Sequence, residues 1–316
     1  MARKGDQDFL HRMNNFVSQT KLWDKCGLDY ELIIVEWNPL PDRPKLKDAI
    51  AWPAGVRDRV RFIEVTEQIH SSLPRSNVIQ LHEFTGKNVG IRRAKGVFIL
   101  TTNIDILFSA KLTKFLASHT LSAQCFYRTN TYALDRPIVP LAASITEELE
   151  FCGKHITRIG LRGETLNFRG RPTGLGRLGL AIVRYRFSRF RRRKLNRIED
   201  ILHTNGAGDF MLMSRDSWRA LRGYPETFVV NYHIDAFICA MAASSGLRQV
   251  ILNGRAYHQY HEFHDYLHRA PSNPDVYALY LLWVKQARQM LERGKPIIFN
   301  TENWGLSQVD CMETHL

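Results

Sequence analysis

Side chains able to do chemistry gather at a few points of the chain. Asn103-Ile104-Asp105 follows the apolar run Val97 to Thr102, and Glu36-Trp37-Asn38 follows Glu31 to Val35, which Pro39 prevents from continuing. Asp209 opens an otherwise apolar stretch ending at Met213, and Asp235 stands at the start of a helical pattern. A helix N-terminus favours an ionised carboxylate, which is what a general base requires. Histidines concentrate at His258, His261, His264 and His268, with Glu262 and Asp265 among them. Each position also has a plainer use. Asn103, Asp105 and Asp235 could be caps, Glu36 a solvated loop acid, and the histidines surface or packing residues, because His-x-x-His outside a helix is a poor zinc signature.

Placing these residues requires a scaffold of alternating strands and helices. The run at Glu31 to Val35 reads as a buried parallel strand and that at Val97 to Thr102 as another buried strand, with a shorter strand at Val60 to Val65. Between them, Lys87 to Lys95 is helical and is closed by Gly96. Gly208 to Met213 reads as a strand, Arg215 to Leu221 as a short helix and Gly223 to Glu226 as a turn. Helices are expected over about Ile234 to Ser245 and Pro274 to Glu292. The alternation predicts an α/β sheet with right-handed crossovers, whose ligands bind at the carboxyl ends of strands. Glu36-Trp37-Asn38 and Asn103-Ile104-Asp105 both fall at such ends.

The order of these motifs resembles the glycosyltransferases of the GT-A fold, particularly the family 2-like group. The match runs from Lys87-Asn88-Val89-Gly90 through Gly96-Val97-Phe98-Ile99-Leu100 to Asn103-Ile104-Asp105, then Gly208-Asp209-Phe210, Gly223-Tyr224-Pro225-Glu226 and His233-Ile234-Asp235, within residues 30 to 262. The resemblance implies a Rossmann-like mixed sheet flanked by helices and transfer of a sugar from a nucleotide-sugar donor to a hydroxyl of a glycan, glycolipid or polysaccharide. It implies a divalent cation, Mn²⁺ or Mg²⁺, at Asn103 and Asp105, with His258 or His261 as a further ligand. Asn103 departs from the family's Asp-x-Asp and keeps only one charge in the motif. Asp235 takes the position of the catalytic base in inverting enzymes, and Asp209 that of a sugar- or acceptor-hydroxyl contact. Glu36 and Asn38, with Asn88 and Arg92 of the following helix, are expected at the nucleotide. Family members usually open with a strand, whereas this chain opens with the helical pattern Phe9 to Ser18, so the first strand is expected to be missing or the start truncated.

Composition narrows the class. The chain has 316 residues, 44% hydrophobic and 24% charged, which excludes wholesale disorder and a disulfide-stapled miniprotein. Five scattered cysteines without a C-x-x-C pair suggest neither a structural zinc site nor a disulfide framework, and Cys152 and Cys239 read as small buried hydrophobes. No run approaches the roughly 18–20 apolar residues of a membrane span, and no signal peptide is visible, so a cytoplasmic protein is expected. Of the net charge of +13, +11 lies between Arg162 and Arg197, where twelve Lys and Arg face one acid. The expected organisation is a catalytic domain over residues 1–270, interrupted by an Arg-rich insertion at about 154–200, and a C-terminal helical extension over 271–316. Within the insertion, Arg184 to Lys194 interleaves arginines with Tyr185, Phe187 and Phe190. That pattern suits nucleic acid, an anionic membrane surface, a loop that helps hold the nucleotide diphosphate or an anionic acceptor, or a solvated charge run, and contact with a lipid surface or an anionic acceptor is the preferred reading. With the transferase resemblance in place, no dedicated nucleic-acid partner is expected. The rival class is a non-catalytic module that binds nucleic acid or anionic lipid. A nucleotidyltransferase is weaker still, lacking a Gly-rich phosphate loop near its start.

Overall fold

A computed structural model describes residues 6–138, 144–168, 198–227, 233–261 and 274–316. The segment 184–194, with its membrane-surface reading, lies outside the described residues, as do His264, His268, Glu262 and Asp265. The chain is a mixed α/β protein. It begins with helices α1 (Asp6–Ser18) and α2 (Thr20–Lys25), then strand β1 (Leu32–Trp37), α3 (Leu46–Ala49), β2 (Val60–Val65), α4 (Glu67–Ser71) and α5 (Glu83–Arg93). Next come β3 (Phe98–Thr101), β4 (Ile106–Phe108), α6 (Ala110–Leu116), β5 (Cys125–Leu134), α7 (Ile145–Lys154), β6 (Ile156–Leu161) and β7 (Glu164–Asn167). The remainder is α8 (Ile198–Ile201), β8 (Met211–Ser214), α9 (Arg215–Leu221), α10 (Ile234–Ser244), β9 (Arg248–His258), α11 (Pro274–Arg293) and β10 (Met312–His315). Among the described residues no strand precedes β1, and no helix is long and apolar enough to cross a membrane.

Two sheets share the core. In the smaller, β1 runs parallel to β2, and β10 joins the far edge of β2 antiparallel. The larger has the order β3-β8-β5-β6-β7. Along one edge of β5, Phe126 and Tyr127 meet β8 and Thr131 to Leu134 meet β6; its other edge runs parallel to β9, which in turn pairs antiparallel with β4. Two helical glycines of α5 face β1, where a Cβ would make ordinary contact, 3.4 Å from the Trp37 ring at Gly86 and 3.5 Å from Val35 Cγ2 at Gly90. Serine caps fix the short helices, since Ser109 accepts from Leu112 N at the start of α6 and Ser214 from Ser217 N at the start of α9. Helix α9 ends at Arg222 in the left-handed region, followed by Gly223 at φ +70°. Gly223 is required there, because a Cβ would fall 2.2 Å from Asn88 Oδ1.

The C-terminal part, expected as a helical extension, holds helix α11 and also the short strand β10. Helix α11 packs through Trp283, Ala287 and Met290 into the cluster that holds Phe237 and Ile238 of α10. The chain then returns to add β10 to β2. Buried Arg61 ties that return down, reaching Glu31 at 3.0 Å, Glu313 at 2.9 Å and the Arg93 carbonyl at 2.7 Å. The thiols of all five cysteines are free, and Cys152 and Cys239 are buried as expected.

Candidate active site

Strand β3 delivers Thr102-Asn103-Ile104-Asp105 beside the loop that leads into β8. Thr102 Oγ1 donates to the Asp209 carbonyl at 2.8 Å, and Asn103 Nδ2 donates to Asp209 Oδ1 at 3.2 Å. The β4–β9 ladder sets Ile106 opposite His258, so Asp105 lies next to Gln259, whose N–H donates to the Asp105 carbonyl at 2.8 Å. This register brings two distant imidazoles to one carboxylate: His261 Nε2 is 3.2 Å and His258 Nε2 3.8 Å from Asp105 Oδ2.

These three residues are the candidate metal centre, with ligand atoms all within 4.8 Å of one another. Two further observations fit a cation. Asp105 Oδ1 is buried and makes no hydrogen bond among the described residues. His258 Nδ1 is 3.0 Å from the Gln259 carbonyl; donating its proton there leaves Nε2 as the lone-pair nitrogen facing Asp105, the arrangement of a metal-ligating histidine. Burial opposes ionisation of Asp105, but His258, His261 and Arg12 outweigh it and hold the carboxyl well below the usual carboxylate range. For His258, burial opposes the charged imidazolium, and the charges of Asp105 and Asp209 outweigh it, raising its pKa. Two imidazoles and one carboxylate form a softer set than the all-oxygen shell of Mg²⁺, which favours Mn²⁺ or a later first-row metal.

A second acidic group adjoins the first. Asp209 is half-buried, and desolvation together with Asp105 and Asp235 raises its pKa against the opposing charges of His258 and Lys87. Asp235, in the first turn of α10, accepts from Gly208 N through Oδ2 at 2.9 Å and from Ala236 N through Oδ1 at 2.8 Å. Lys87 Nζ donates to the Gly208 carbonyl at 2.9 Å and pairs with Glu83 at 2.9 Å. The loop itself is held from below. Arg128 of β5, fully buried, donates to the carbonyls of His203 at 3.2 Å, Asn205 at 2.9 Å and Ala207 at 3.5 Å. The fold therefore gathers Asn103, Asp105, Asp209, Asp235, His258 and His261 about the carboxyl end of β3 and the entry to β8. Asn103 differs from the expected ligand in that its amide nitrogen is committed to Asp209.

The residues expected at the nucleotide lie on β1, just after it, and on α5. Asn88 is fully buried: Nδ2 donates to the Tyr224 carbonyl at 2.8 Å and to Glu226 Oε1 at 2.9 Å, while Oδ1 accepts from Tyr224 N at 2.8 Å. Both Nδ2 protons are spent, Oδ1 accepts one bond, and full burial leaves the side chain no exposed atom. The Arg92 guanidinium lies 5.0 Å from the Trp304 ring centre. Glu36 Oε1 accepts from Leu46 N at 3.0 Å, in register with Glu64 across the β1–β2 pair, and burial raises its pKa. Asn38 is buried at φ +47°, its N–H donating to the Val65 carbonyl at 2.6 Å.

Sequence reasoning missed Lys87, Arg128 and Gln259. Lys87 lies within the motif that singled out Asn88, and its charge was the available signal. Nothing local marks Arg128 or Gln259, because their partners are remote in the chain. No protein-family model matches this chain, and neither does any curated protein.

Proposed function

We propose that this protein is a glycosyltransferase of the GT-A type, transferring a sugar from a nucleotide-sugar donor to a hydroxyl of a glycan or lipid-linked acceptor. The observation that carries this reading is the convergence of Asp105, His258 and His261 with Asp209 and Asp235 at one strand end, the position at which α/β sheets bind ligands. Asp105, His258 and His261 would hold a divalent cation, which when bound supplies positive charge against the nucleotide diphosphate. Asp235 serves as base. As the acceptor oxygen bonds to the anomeric carbon, its proton passes to the Asp235 carboxylate, the bond to the diphosphate oxygen breaks, and the diphosphate leaves with the electron pair. The Gly208 N–H fixes the rotamer of that carboxylate, and Lys87 holds the same residue through its carbonyl, in the next peptide group. Asp209, steadied by Asn103, contacts a hydroxyl of the donor sugar or the acceptor. This chemistry gives inversion at the anomeric carbon.

Thermal unfolding in the presence of UDP, GDP and their sugars, with and without Mn²⁺, tests the reading. Stabilisation by a nucleotide only when Mn²⁺ is present is the expected result, since a ligand that binds only the folded state raises its melting temperature. Indifference to every nucleotide, with salt-sensitive RNA binding instead, would establish the non-catalytic module.

A further inference from the structure

Two glutamines join the N-terminal helices to the strands that carry the metal centre. Gln259 lies between the two imidazoles in sequence, is only 2% exposed, and has every polar group engaged. Its Nε2 donates to the Arg12 carbonyl of α1 at 3.0 Å, and its Oε1 accepts from Asn15 Nδ2 of α1 at 2.9 Å. Its backbone N–H donates to the Asp105 carbonyl at 2.8 Å, and its carbonyl faces His258 Nδ1 at 3.0 Å. One residue thus contacts α1, the carboxylate ligand and an imidazole ligand.

The second glutamine works on β4. Among the described residues β4 pairs with β9 alone, leaving its other edge without a strand. Gln19, buried at the junction of α1 and α2, occupies that edge: its Nε2 donates to the Ile106 carbonyl at 3.1 Å and its Oε1 accepts from Phe108 N at 3.0 Å. The amide imitates a neighbouring peptide and satisfies backbone groups that would otherwise be buried unpaired. Asp105 immediately precedes the strand so held.

We propose that α1 is the positioning wall of the metal centre, acting through Asn15 and Gln259 to set His258 and His261 against Asp105. Asn15 and Gln259 are positioning residues. Neither is a ligand, and each fixes backbone or side-chain atoms from which the ligands project. The proposal rests on the metal-centre part of the functional reading and not on the transferase reaction. Partners of this kind around a metal commonly alter its affinity by 10- to 100-fold when removed.

The test is a Co²⁺ titration of the full chain, followed by visible absorption and by competition with Mn²⁺, with circular dichroism and urea unfolding of the metal-free protein as a check on the fold. Gln259→Ala should weaken Co²⁺ binding by about 10- to 100-fold and alter the visible bands, and Asn15→Ala should weaken it by about tenfold. Asn15→Asp is the same size but has no N–H to offer Gln259 Oε1, so it should bind no better than Asn15→Ala. If Gln259→Ala fails to fold, the two Asn15 variants carry the test. Affinities within twofold of wild type in folded variants would overturn the positioning role alone. Failure of the wild-type chain to bind Co²⁺ or Mn²⁺ would overturn both this proposal and the metal centre.

Discussion

Lys87 and Asn88, neighbours in the middle of α5, face regions built from similar residue types and put to opposite uses. Around Asp105 and Asp209, polar atoms are buried with demands unmet: Asp105 Oδ1 has no hydrogen bond among the described residues, and three carboxylates crowd two imidazoles and Lys87. Around Asn88, every polar atom is consumed by the protein itself, as the amide closes on Tyr224 and Glu226, and Asn300 Nδ2 adds donations to the carbonyls of Arg222 at 2.7 Å and Tyr224 at 2.6 Å. What separates the two is the source of the partners. The Tyr224 backbone groups and one loop carboxylate, Glu226, occupy Asn88, whereas side chains of like and unlike charge surround Asp209. A buried group with its hydrogen bonds complete stabilises the fold, and one left incomplete is available to a ligand.

Substitutions on the two sides should therefore fail in different ways. The largest expected effect is that of Asp235→Asn, which keeps the shape and removes the base. Turnover should fall by about 10²- to 10⁴-fold, with about 1–3 kcal/mol of stability lost because the new amide nitrogen cannot accept from one of the two N–H groups, and turnover within a few-fold of wild type would refute the assignment. Asn88→Ala should act through stability. Leaving the Tyr224 peptide and Glu226 without their partner should cost about 3 kcal/mol in urea unfolding, while Co²⁺ affinity stays within about twofold.

The pH dependence of stability separates the regions by sign. His82, beside Trp37 and His70, is pushed down to about 4 by burial, with His70 assisting, so between pH 6.5 and 4 the unfolded chain binds the extra proton and stability falls as the solution is acidified. His258 has a raised pKa. Its contribution is fully present below the unfolded value near 6.5 and is lost as pH rises through its folded value. Urea unfolding of the metal-free chain across pH should show His82→Gln flattening the acid side and His258→Gln flattening the alkaline side. If both variants changed the same limb, the contrast would fail. The smallest effect belongs to Arg92→Ala. Loss of its contact with Trp304 should cost about 0.5–1 kcal/mol, and nucleotide affinity should not change, whereas a large loss of nucleotide affinity would restore Arg92 to the binding site.

How much could be read in advance differed element by element. Helices α9 and α10 and strand β2 are written locally, in caps, apolar runs and glycine stops, and they occur within a residue of their expected bounds. Strand β8 starts at Met211, later than the apolar run from Gly208 suggests, because Gly206 to Asp209 form the turn that presents the carboxylate. Strand β5 was not anticipated. Its middle, Arg128-Thr129-Asn130-Thr131, is polar in sequence yet buried in large part, with Arg128 satisfied by carbonyls more than seventy residues away.

The sequence by itself determined the α/β class, the strand ends at which acids stand, and the candidacy of Asp105, Asp209, Asp235, His258 and His261. These follow from hydrophobic periodicity and from short-range caps, which act over a few residues. Only the tertiary structure decided which candidates meet. The register of β4 against β9 carries two imidazoles across some 150 residues of chain to Asp105, and the closing of the 222–226 loop onto α5 withdraws Asn88 from any ligand. Such choices depend on long-range pairing and on which backbone groups remain unsatisfied after packing, and no local pattern encodes them.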